Sequence, residues 1–247
     1  MPQEILVVKN INKSFGKSAV LQGINLVLKE KEIFGLLGPN AAGKSTLAKI
    51  MIGSLKPDSG SVHYYGKELF SNKNEINKFI ALVPQEEYFY RDFSSKRNLE
   101  FCGMLYGLKG KELNETVSFL LDWLNLKNFK DVTSSKLSGG YRRLLNMACS
   151  LVHSPKIVFM DEPTVGLDPK MRRIFWGKIR ELRESGATIV LTTHYMDEAE
   201  SLCDRIAFVM GGRILDEGNP SEIVKKYSSK DLEEAFLAAT INKEGQQ

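Results

Sequence analysis

Short apolar runs alternate along most of the chain with longer segments in which apolar residues recur at helical spacing. The apolar runs have the length of single strands and lie at 32–37, 156–160 and 188–192. The segments with helical spacing that follow them lie at 44–52, 170–185 and 196–202. A repeated order of apolar strand and helix predicts a mainly parallel sheet covered by helices, and hence an α/β fold.

Two regions depart from this alternation. The N-terminal part contains strand patterns at 5–8, 20–28 and 61–65 with turn residues between them, at 14–17 and 57–60, which predict an antiparallel β subdomain. Residues 89–152 instead carry long helical patterns with few strand candidates, which predict a helical subdomain inserted into the α/β core.

The C-terminal part begins with a predicted hairpin. Two apolar segments, 206–210 and 213–215, flank Gly211-Gly212, a dipeptide that favours a two-residue turn. Short amphipathic helices are expected at 222–227 and 231–238, and the polar tail beyond Leu237 is expected to fray. We therefore predict one domain over 1–218 and a short C-terminal helical extension with a tail over 219–247.

Composition and charge exclude several classes of protein. Of 247 residues, 43% are hydrophobic and 26% charged, as in an ordinary globular protein, and no run approaches the roughly 20 apolar residues of a membrane-spanning helix. The net charge of +4 comes from interleaved acids and bases, so no nucleic-acid partner is expected. The three cysteines, Cys102, Cys149 and Cys203, are too scattered for a disulfide framework or a zinc site, and they favour a reducing compartment.

The strongest chemical signal is a glycine-rich stretch between a predicted strand and a predicted helix. It matches the phosphate-loop pattern G-x-x-x-x-G-K-[ST], and its residues are Gly38, Pro39, Asn40, Ala41, Ala42, Gly43, Lys44, Ser45 and Thr46. Small residues let backbone N–H groups approach phosphates, and the following helix points its positive dipole end at them. Lys44 is expected to reach the β- and γ-phosphates, and the Ser45 hydroxyl to bind Mg²⁺.

A second signal is an apolar run that ends in two acids, Asp161 and Glu162. Such a strand delivers carboxylates to the edge of a sheet where α/β proteins bind ligands. Asp161 is expected to hold Mg²⁺, and Glu162 to polarise or deprotonate an attacking water. Together with the phosphate loop, this pair predicts a nucleoside triphosphate hydrolase.

Further motifs narrow the class, because over nearly its whole length the chain resembles the ATP-binding cassette (ABC) superfamily. In addition to the phosphate loop and the acidic strand, the family's elements occur here in the family's order. They are Phe15, Gln85, the Leu137-Ser138-Gly139-Gly140 signature, the Gly166-Leu167-Asp168 turn and His194. The resemblance implies ATP and Mg²⁺ as cofactors.

The resemblance also implies a role for each of these residues. Phe15 would stack on adenine, and Gln85 would touch Mg²⁺ and report to a membrane partner. His194 would contact the γ-phosphate, and Asp168 would lie across a subunit interface. In the family two cassettes pair head to tail, so that Ser138, Gly139 and Gly140 of one chain would cap the nucleotide held by the other.

Two positions depart from the family's pattern. Tyr141 stands where glutamine is usual in the signature, which puts that side chain's contact with the opposing nucleotide in doubt. Ala41 stands where many members have glycine, and if this position requires a positive φ, alanine costs about 1–2 kcal/mol. Neither change touches Lys44, Glu162 or His194, so an active site is expected.

Several phrases resemble the drug-resistance-type export branch, among them Arg97-Asn98-Leu99-Glu100-Phe101 and the Thr192–Glu200 segment. We therefore expect an ATPase on the cytoplasmic face of the membrane, bound peripherally to a separate membrane-spanning subunit. The aromatic stretch 88–93 is either a docking surface for that subunit or ordinary core. The alternatives are a soluble ABC ATPase of DNA repair or translation, and a nucleotide-gated scaffold with weak hydrolysis. A phosphate-loop kinase explains the motifs least well.

Overall fold

The computed structural model describes residues 3–244; the first two and last three residues, including the end of the predicted C-terminal extension, lie outside it. The strands are β1 (Glu4–Phe15), β2 (Ser18–Lys29), β3 (Ile33–Leu37), β4 (Ser59–Tyr64), β5 (Lys67–Glu68), β6 (Ile80–Val83), β7 (Ile157–Asp161), β8 (Thr188–Thr193), β9 (Arg205–Met210) and β10 (Arg213–Gly218). The helices are α1 (Lys44–Met51), α2 (Lys73–Ile76), α3 (Ser95–Leu105), α4 (Gly110–Trp123), α5 (Gly139–Leu151), α6 (Pro169–Glu184), α7 (Met196–Leu202), α8 (Pro220–Lys226) and α9 (Leu232–Glu244).

A six-stranded sheet forms the centre of the molecule, with the strand order β10-β9-β3-β8-β7-β6. Its pairs from β9 to β6 are all parallel, and only β10 joins antiparallel to β9. The β9–β10 turn is Gly211-Gly212, and both glycines have positive φ (54° and 72°), as a two-residue hairpin turn requires. The predicted mainly parallel α/β fold is confirmed.

The second sheet has the order β2-β1-β4-β5 and is antiparallel throughout. The turn predicted at 14–17 is shorter than expected, because Ser14 pairs with Ala19 and Phe15 with Ser18, so that only Gly16 and Lys17 remain outside the strands. The predicted antiparallel β region is present, with β1 longer than the pattern indicated.

The central sheet is buried on both faces, and β7 shows how. Its Val158 and Met160 pack into a core with the helices, whereas Ile157 and Phe159 pack into a second core that includes the antiparallel sheet. A strand covered on both sides has no polar alternation, which is why these strands read in the sequence as continuous apolar runs.

Helices occupy most of the region 95–151, as its pattern predicted. α3 and α5 begin at serine caps: the Ser94 hydroxyl accepts from the Arg97 N–H, and the Ser138 hydroxyl from the Tyr141 N–H. Two short 3₁₀ turns, Lys127–Phe129 and Ser134–Lys136, lie between α4 and α5. After α5 the chain re-enters the central sheet as β7.

The short elements β5, α2 and β6 were not predicted, and α9 is longer than predicted. In β6, four residues are too few to show a period. The expectation that the tail frays beyond Leu237 was wrong for residues 238–244, since α9 continues to Glu244, and residues 245–247 lie outside the described part of the chain. The helix persists because Ala239 is buried and the Thr240 hydroxyl donates to the sulfur of Met210 on β9 at 3.4 Å, features that the polar composition does not reveal.

Candidate functional site

The predicted chemical residues gather at one edge of the central sheet. β3, β8, β7 and β6 are neighbours and parallel, so their carboxyl ends meet there. β3 leads into the phosphate loop, β8 into His194, β7 ends at Asp161, and β6 is followed by Gln85. This is the edge at which open α/β sheets bind ligands.

The phosphate loop is closely held against the antiparallel sheet. Gly43 caps α1 with φ 106°, and a Cβ added there would lie 2.8 Å from Leu21 Cδ2 and 2.9 Å from the Val20 carbonyl oxygen. Only glycine fits this position without a shift of the neighbours. The loop can therefore present the free N–H groups of the first turn of α1 to an anion.

Lys44 is almost fully buried in this loop. Its ammonium donates to the carbonyl oxygens of Gly38 at 2.8 Å and Pro39 at 2.9 Å. Burial lowers the pKa of Lys44, while the nearby carboxylates of Glu162 and Asp161 oppose that shift by favouring the charged form. The site thus combines a cation from α1 with two acids, Asp161 at the end of β7 and Glu162 directly after it.

Ser45 and Asp161 meet, as their motifs predicted. The Ser45 hydroxyl donates to Asp161 Oδ1 at 3.0 Å, and the Thr192 hydroxyl donates to the same oxygen at 2.5 Å. A hydroxyl and a carboxylate are hard oxygen ligands of the kind Mg²⁺ takes, and Mg²⁺ usually uses one or two carboxylates and completes its shell with phosphates and water. The residues present therefore fit this ion.

Glu162 and His194 also lie together. His194 Nδ1 is 3.3 Å from Glu162 Oε1, and both side chains are mostly buried. Glu162 has φ 45°, and its N–H donates to the carbonyl and the hydroxyl of Thr192, both at 3.1 Å. A carboxylate with a histidine at its side has the arrangement of a base oriented by a second group.

The remaining site residues are more exposed. The Gln85 side chain is exposed, and Phe15 is 51% exposed with the Lys13 ammonium 5.6 Å from its ring centroid. Ser138 and Gly139 lie on the surface at the start of α5, and Asp168 caps α6 by accepting from the N–H groups of two following residues.

The two departures from the family's pattern have distinct surroundings. The Tyr141 ring packs on Phe129, with the ring centroids 4.3 Å apart, so it belongs partly to the helical core. Ala41 has φ 64°, so the position does adopt the left-handed conformation that glycine would occupy without strain.

Replacing Ala41 by glycine is expected to raise the free energy of unfolding by about 1 kcal/mol, because relief of left-handed strain exceeds the added entropy of the unfolded chain. Urea unfolding followed by circular dichroism measures this difference. Ala42→Gly is the matched control, because Ala42 is buried and has no positive φ, so this change should destabilise. A lower unfolding midpoint for Ala41→Gly would contradict the prediction.

Three residues that the sequence did not mark belong to this site. Thr192, the polar end of an apolar strand, holds Asp161 and the Glu162 backbone. Arg143 and Asn146, both on α5 and both buried, bind the carbonyl oxygens of Pro84 and its neighbours. The signal for Thr192 was a polar residue near the end of a predicted buried strand. No feature of the neighbouring sequence distinguished Arg143 from Arg142.

Among residues 3–244, no helix has both the length and the apolar character needed to cross a membrane. In the same part of the chain, no cluster of three or more His, Cys, Asp or Glu side chains is arranged to hold a metal ion. The oxygen pair of Ser45 and Asp161 therefore remains the candidate position for a cation.

Comparison with known proteins agrees with this geometry. The family model described as "ABC transporter" matches residues 21–165. The Nod factor export ATP-binding protein I of Sinorhizobium fredii (strain NBRC 101917 / NGR234) is 38% identical over 92% of this chain and 66% of its own length. The probable multidrug ABC transporter ATP-binding protein YbhF of Escherichia coli (strain K12) is 38% identical over 95% of this chain and 41% of its own. The chain thus spans only part of these relatives.

A solved structure of an ATP binding subunit of an ABC transporter superimposes with a TM-score of 0.85 at 26% identity, covering 96% of this chain and 99% of that one. The fold, the family model and the relatives agree with one another on the family. The chain belongs to the ABC transporter family, among its ATP-binding subunits with export-type relatives.

Proposed function

We propose that this chain is the ATP-hydrolysing motor of an exporter whose membrane-spanning part is a separate polypeptide. The observation that carries the proposal is the convergence of Lys44, the Ser45–Asp161 pair and the Glu162–His194 pair at the carboxyl ends of adjacent parallel strands. Retention of both catalytic pairs argues against a scaffold with vestigial hydrolysis.

Each residue has a part in this proposal. The phosphate loop and Lys44 bind the phosphates of ATP, Phe15 stacks on adenine, and Ser45, Asp161 and Gln85 hold Mg²⁺. When bound, Mg²⁺ would neutralise charge on the transferred phosphoryl group. Glu162 accepts a proton from the attacking water, and His194 orients Glu162 and contacts the γ-phosphate.

We propose further that two cassettes pair head to tail. The surface position of Ser138 and Gly139 supports this, because the first N–H groups of α5, before that of Tyr141, could meet the nucleotide of a second chain. The pair is a homodimer or two different cassettes. In this proposal residues 1–218 form the cassette, with 89–152 as its helical subdomain, and 219–247 form the extension.

The proposed membrane contact is an aromatic surface next to Gln85, made by Tyr88, Tyr90, Phe93 and Phe101. Tyr88 is 80% and Tyr90 54% exposed, whereas Phe93 is half-buried with Arg97 stacked 4.2 Å from its ring centroid. Exposed rings of this kind suit the apolar side of a docked helix. The chain would then act peripherally at the cytoplasmic face of the membrane.

The names of the relatives support export, although those names describe the relatives themselves. The alternative of a soluble ABC ATPase of DNA repair or translation gains no support from them. No nucleic-acid partner is proposed.

One experiment tests the motor and its coupling together. The purified chain is expected to hydrolyse ATP only with Mg²⁺, at a rate per chain that rises with protein concentration as pairs form. The membrane-spanning partner should stimulate that rate. Tyr88→Ser is expected to keep the basal rate and lose the stimulation, because its ring is largely exposed to solvent.

The matched control for the docking surface is Phe119→Ser, which removes another exposed aromatic ring, on α4. It should keep both the basal and the stimulated rates. Absence of Mg²⁺-dependent hydrolysis at every concentration, both by the chain alone and in the assembled transporter, would contradict the motor proposal. Full stimulation of the Tyr88→Ser chain by the membrane-spanning partner would instead contradict only the proposed docking surface.

A further inference from the structure

The guanidinium of Arg143 on α5 is buried and enclosed by backbone carbonyl oxygens. Nε donates to Pro163 at 2.7 Å, one terminal nitrogen to Pro84 at 3.0 Å and to Gln85, and the other to Glu162 at 2.7 Å and Asp161 at 3.4 Å. Arg143 is only 9% exposed. Its nitrogens thus contact two separate segments of the chain, 84–85 and 161–163.

This contact set requires arginine. Guanidinium presents five N–H donors in one rigid plane and stays charged, whereas a lysine offers three donors on one atom. Burial lowers the pKa of Arg143, and the charges of Asp161, Glu198 and Glu162 oppose that shift. No carboxylate oxygen is bonded directly, so the charge is stabilised by carbonyl dipoles and by acids at longer range.

The first consequence concerns the backbone of Glu162. Its φ of 45° is unfavourable for a non-glycine residue and persists only where the surroundings hold it. The N–H of Glu162 is held by Thr192 and its carbonyl by Arg143. Because the peptide units on both sides are held, the direction in which the Glu162 side chain leaves the backbone is set with them, and the contact with His194 Nδ1 then orients its carboxylate.

The second consequence concerns the loop that carries Gln85. Besides the two bonds from Arg143, Asn146 donates to the carbonyls of Pro84 at 3.0 Å and Glu86 at 2.9 Å, and accepts from the Tyr88 N–H at 2.7 Å. Arg143 and Asn146 lie three residues apart on α5, hence on the same helix face. This loop and the end of β7 therefore share one anchor.

We propose that Arg143 is a positioning residue for ATP hydrolysis: it sets the backbone that aims Glu162 and Gln85, without touching the nucleotide. The inference rests on the proposed catalytic roles of those two residues. None of the hydrogen bonds of Arg143 reaches the phosphate loop. Its loss should therefore lower kcat and leave nucleotide affinity intact.

The test compares Arg143→Lys and Arg143→Gln with the wild-type chain in steady-state ATP hydrolysis and in equilibrium titration with a fluorescent ATP analogue. Each variant is expected to lose about 10- to 100-fold in kcat, as expected for a catalytic group misplaced by a fraction of an ångström. The dissociation constant should change by less than about threefold. The control is Arg180→Met, which removes an exposed guanidinium bonded to a single carbonyl, that of Ser201, and should leave kcat unchanged.

A double variant separates positioning from general stabilisation. If Arg143 acts through Glu162, adding Arg143→Lys to Glu162→Gln should cause little further loss, whereas independent effects would multiply. Hydrogen exchange gives a readout apart from activity: the amides of 85–88 and those of Asp161 and Glu162 should exchange faster in Arg143→Lys, while α1 keeps its protection.

A wild-type kcat in Arg143→Lys would overturn the inference, and losses that multiply fully in the double variant would overturn its main claim, that Arg143 acts through Glu162. If activity falls only in proportion to the folded fraction, which thermal unfolding measures, the inference is also overturned. Arg143 would then have a merely structural role. Failure of the proposed function looks different, because then the wild-type chain itself would not exceed Glu162→Gln. Hydrogen exchange would still decide whether Arg143 holds the two loops.

Discussion

Glu162→Gln is expected to lower kcat for ATP hydrolysis by about 10²–10⁴-fold, the contribution typical of a general base. The glutamine keeps the shape of the side chain and one oxygen that can face His194 Nδ1, now 3.3 Å from the carboxylate. Only the ability to take a proton from water is lost. The phosphate loop does not change, so ATP affinity should remain near that of the wild-type chain.

The measurement is steady-state hydrolysis with a parallel nucleotide titration, at a protein concentration where the wild-type rate per chain has reached its plateau. Glu115→Gln provides the matched control, because Glu115 is exposed on α4 and pairs only with Lys111 at 3.6 Å. It should retain full activity. A Glu162→Gln chain within a factor of a few of the wild-type kcat would remove Glu162 from the role of base.

Mixing two inactive variants is expected to restore ATP hydrolysis if the signature serves the opposite chain. Lys44→Ala should disable the phosphate loop, and Gly139→Asp should place a negative charge where the γ-phosphate of the partner would bind. Gly139 is the suitable position because a Cβ there has no neighbour within 4 Å, whereas at Gly140 it would meet Met171 Cγ at 2.6 Å. Aspartate in the first turn of α5 also suits the helix dipole, so the fold should survive.

In a head-to-tail pair of one chain of each kind, one site combines the intact loop of the Gly139 variant with the intact signature of the Lys44 variant. With random pairing, half of the dimers are mixed and each has one working site, so about a quarter of the wild-type activity should return. A Gly139→Asp chain that also carries Glu162→Gln should restore nothing. No recovery in the first mixture, with both variants folded and pairing, would place the signature outside the partner's site.

Much of the fold could be predicted from the sequence because its signals are local. The strands around the phosphate loop and the acidic pair are short and fully buried, so their apolar runs mark β3, β7 and β8 to within a residue or two. Helix α6 runs over Pro169–Glu184, within a residue at each end of the segment predicted at 170–185. Such features depend on neighbours in the sequence.

The candidate site was predicted in part. The order of motifs in the sequence identified site residues that follow the predicted parallel strands. The order of these strands in the folded sheet then places those residues close together. β6 was not predicted, because four residues show too little periodicity. The continuation of α9 to Glu244 was not predicted, because its contact with Met210 joins residues 30 apart in the sequence. Ala41 is an intermediate case. The sequence indicated that this position could require a positive φ, and in the structure its φ is 64°.

Arg143 shows what only the tertiary structure decided. In the sequence it is one of two adjacent arginines; in the fold Arg142 pairs with Glu87 at 2.6 Å, whereas Arg143 enters a cavity of carbonyl oxygens contributed by residues about 20 and 60 positions away. The sequence by itself determined the family, the motifs and the chemistry they can perform, because those depend on residue types at fixed short spacings. The alignment of the catalytic groups depends on long-range hydrogen bonds from side chains to backbone carbonyl oxygens, which every residue type carries and no local pattern records.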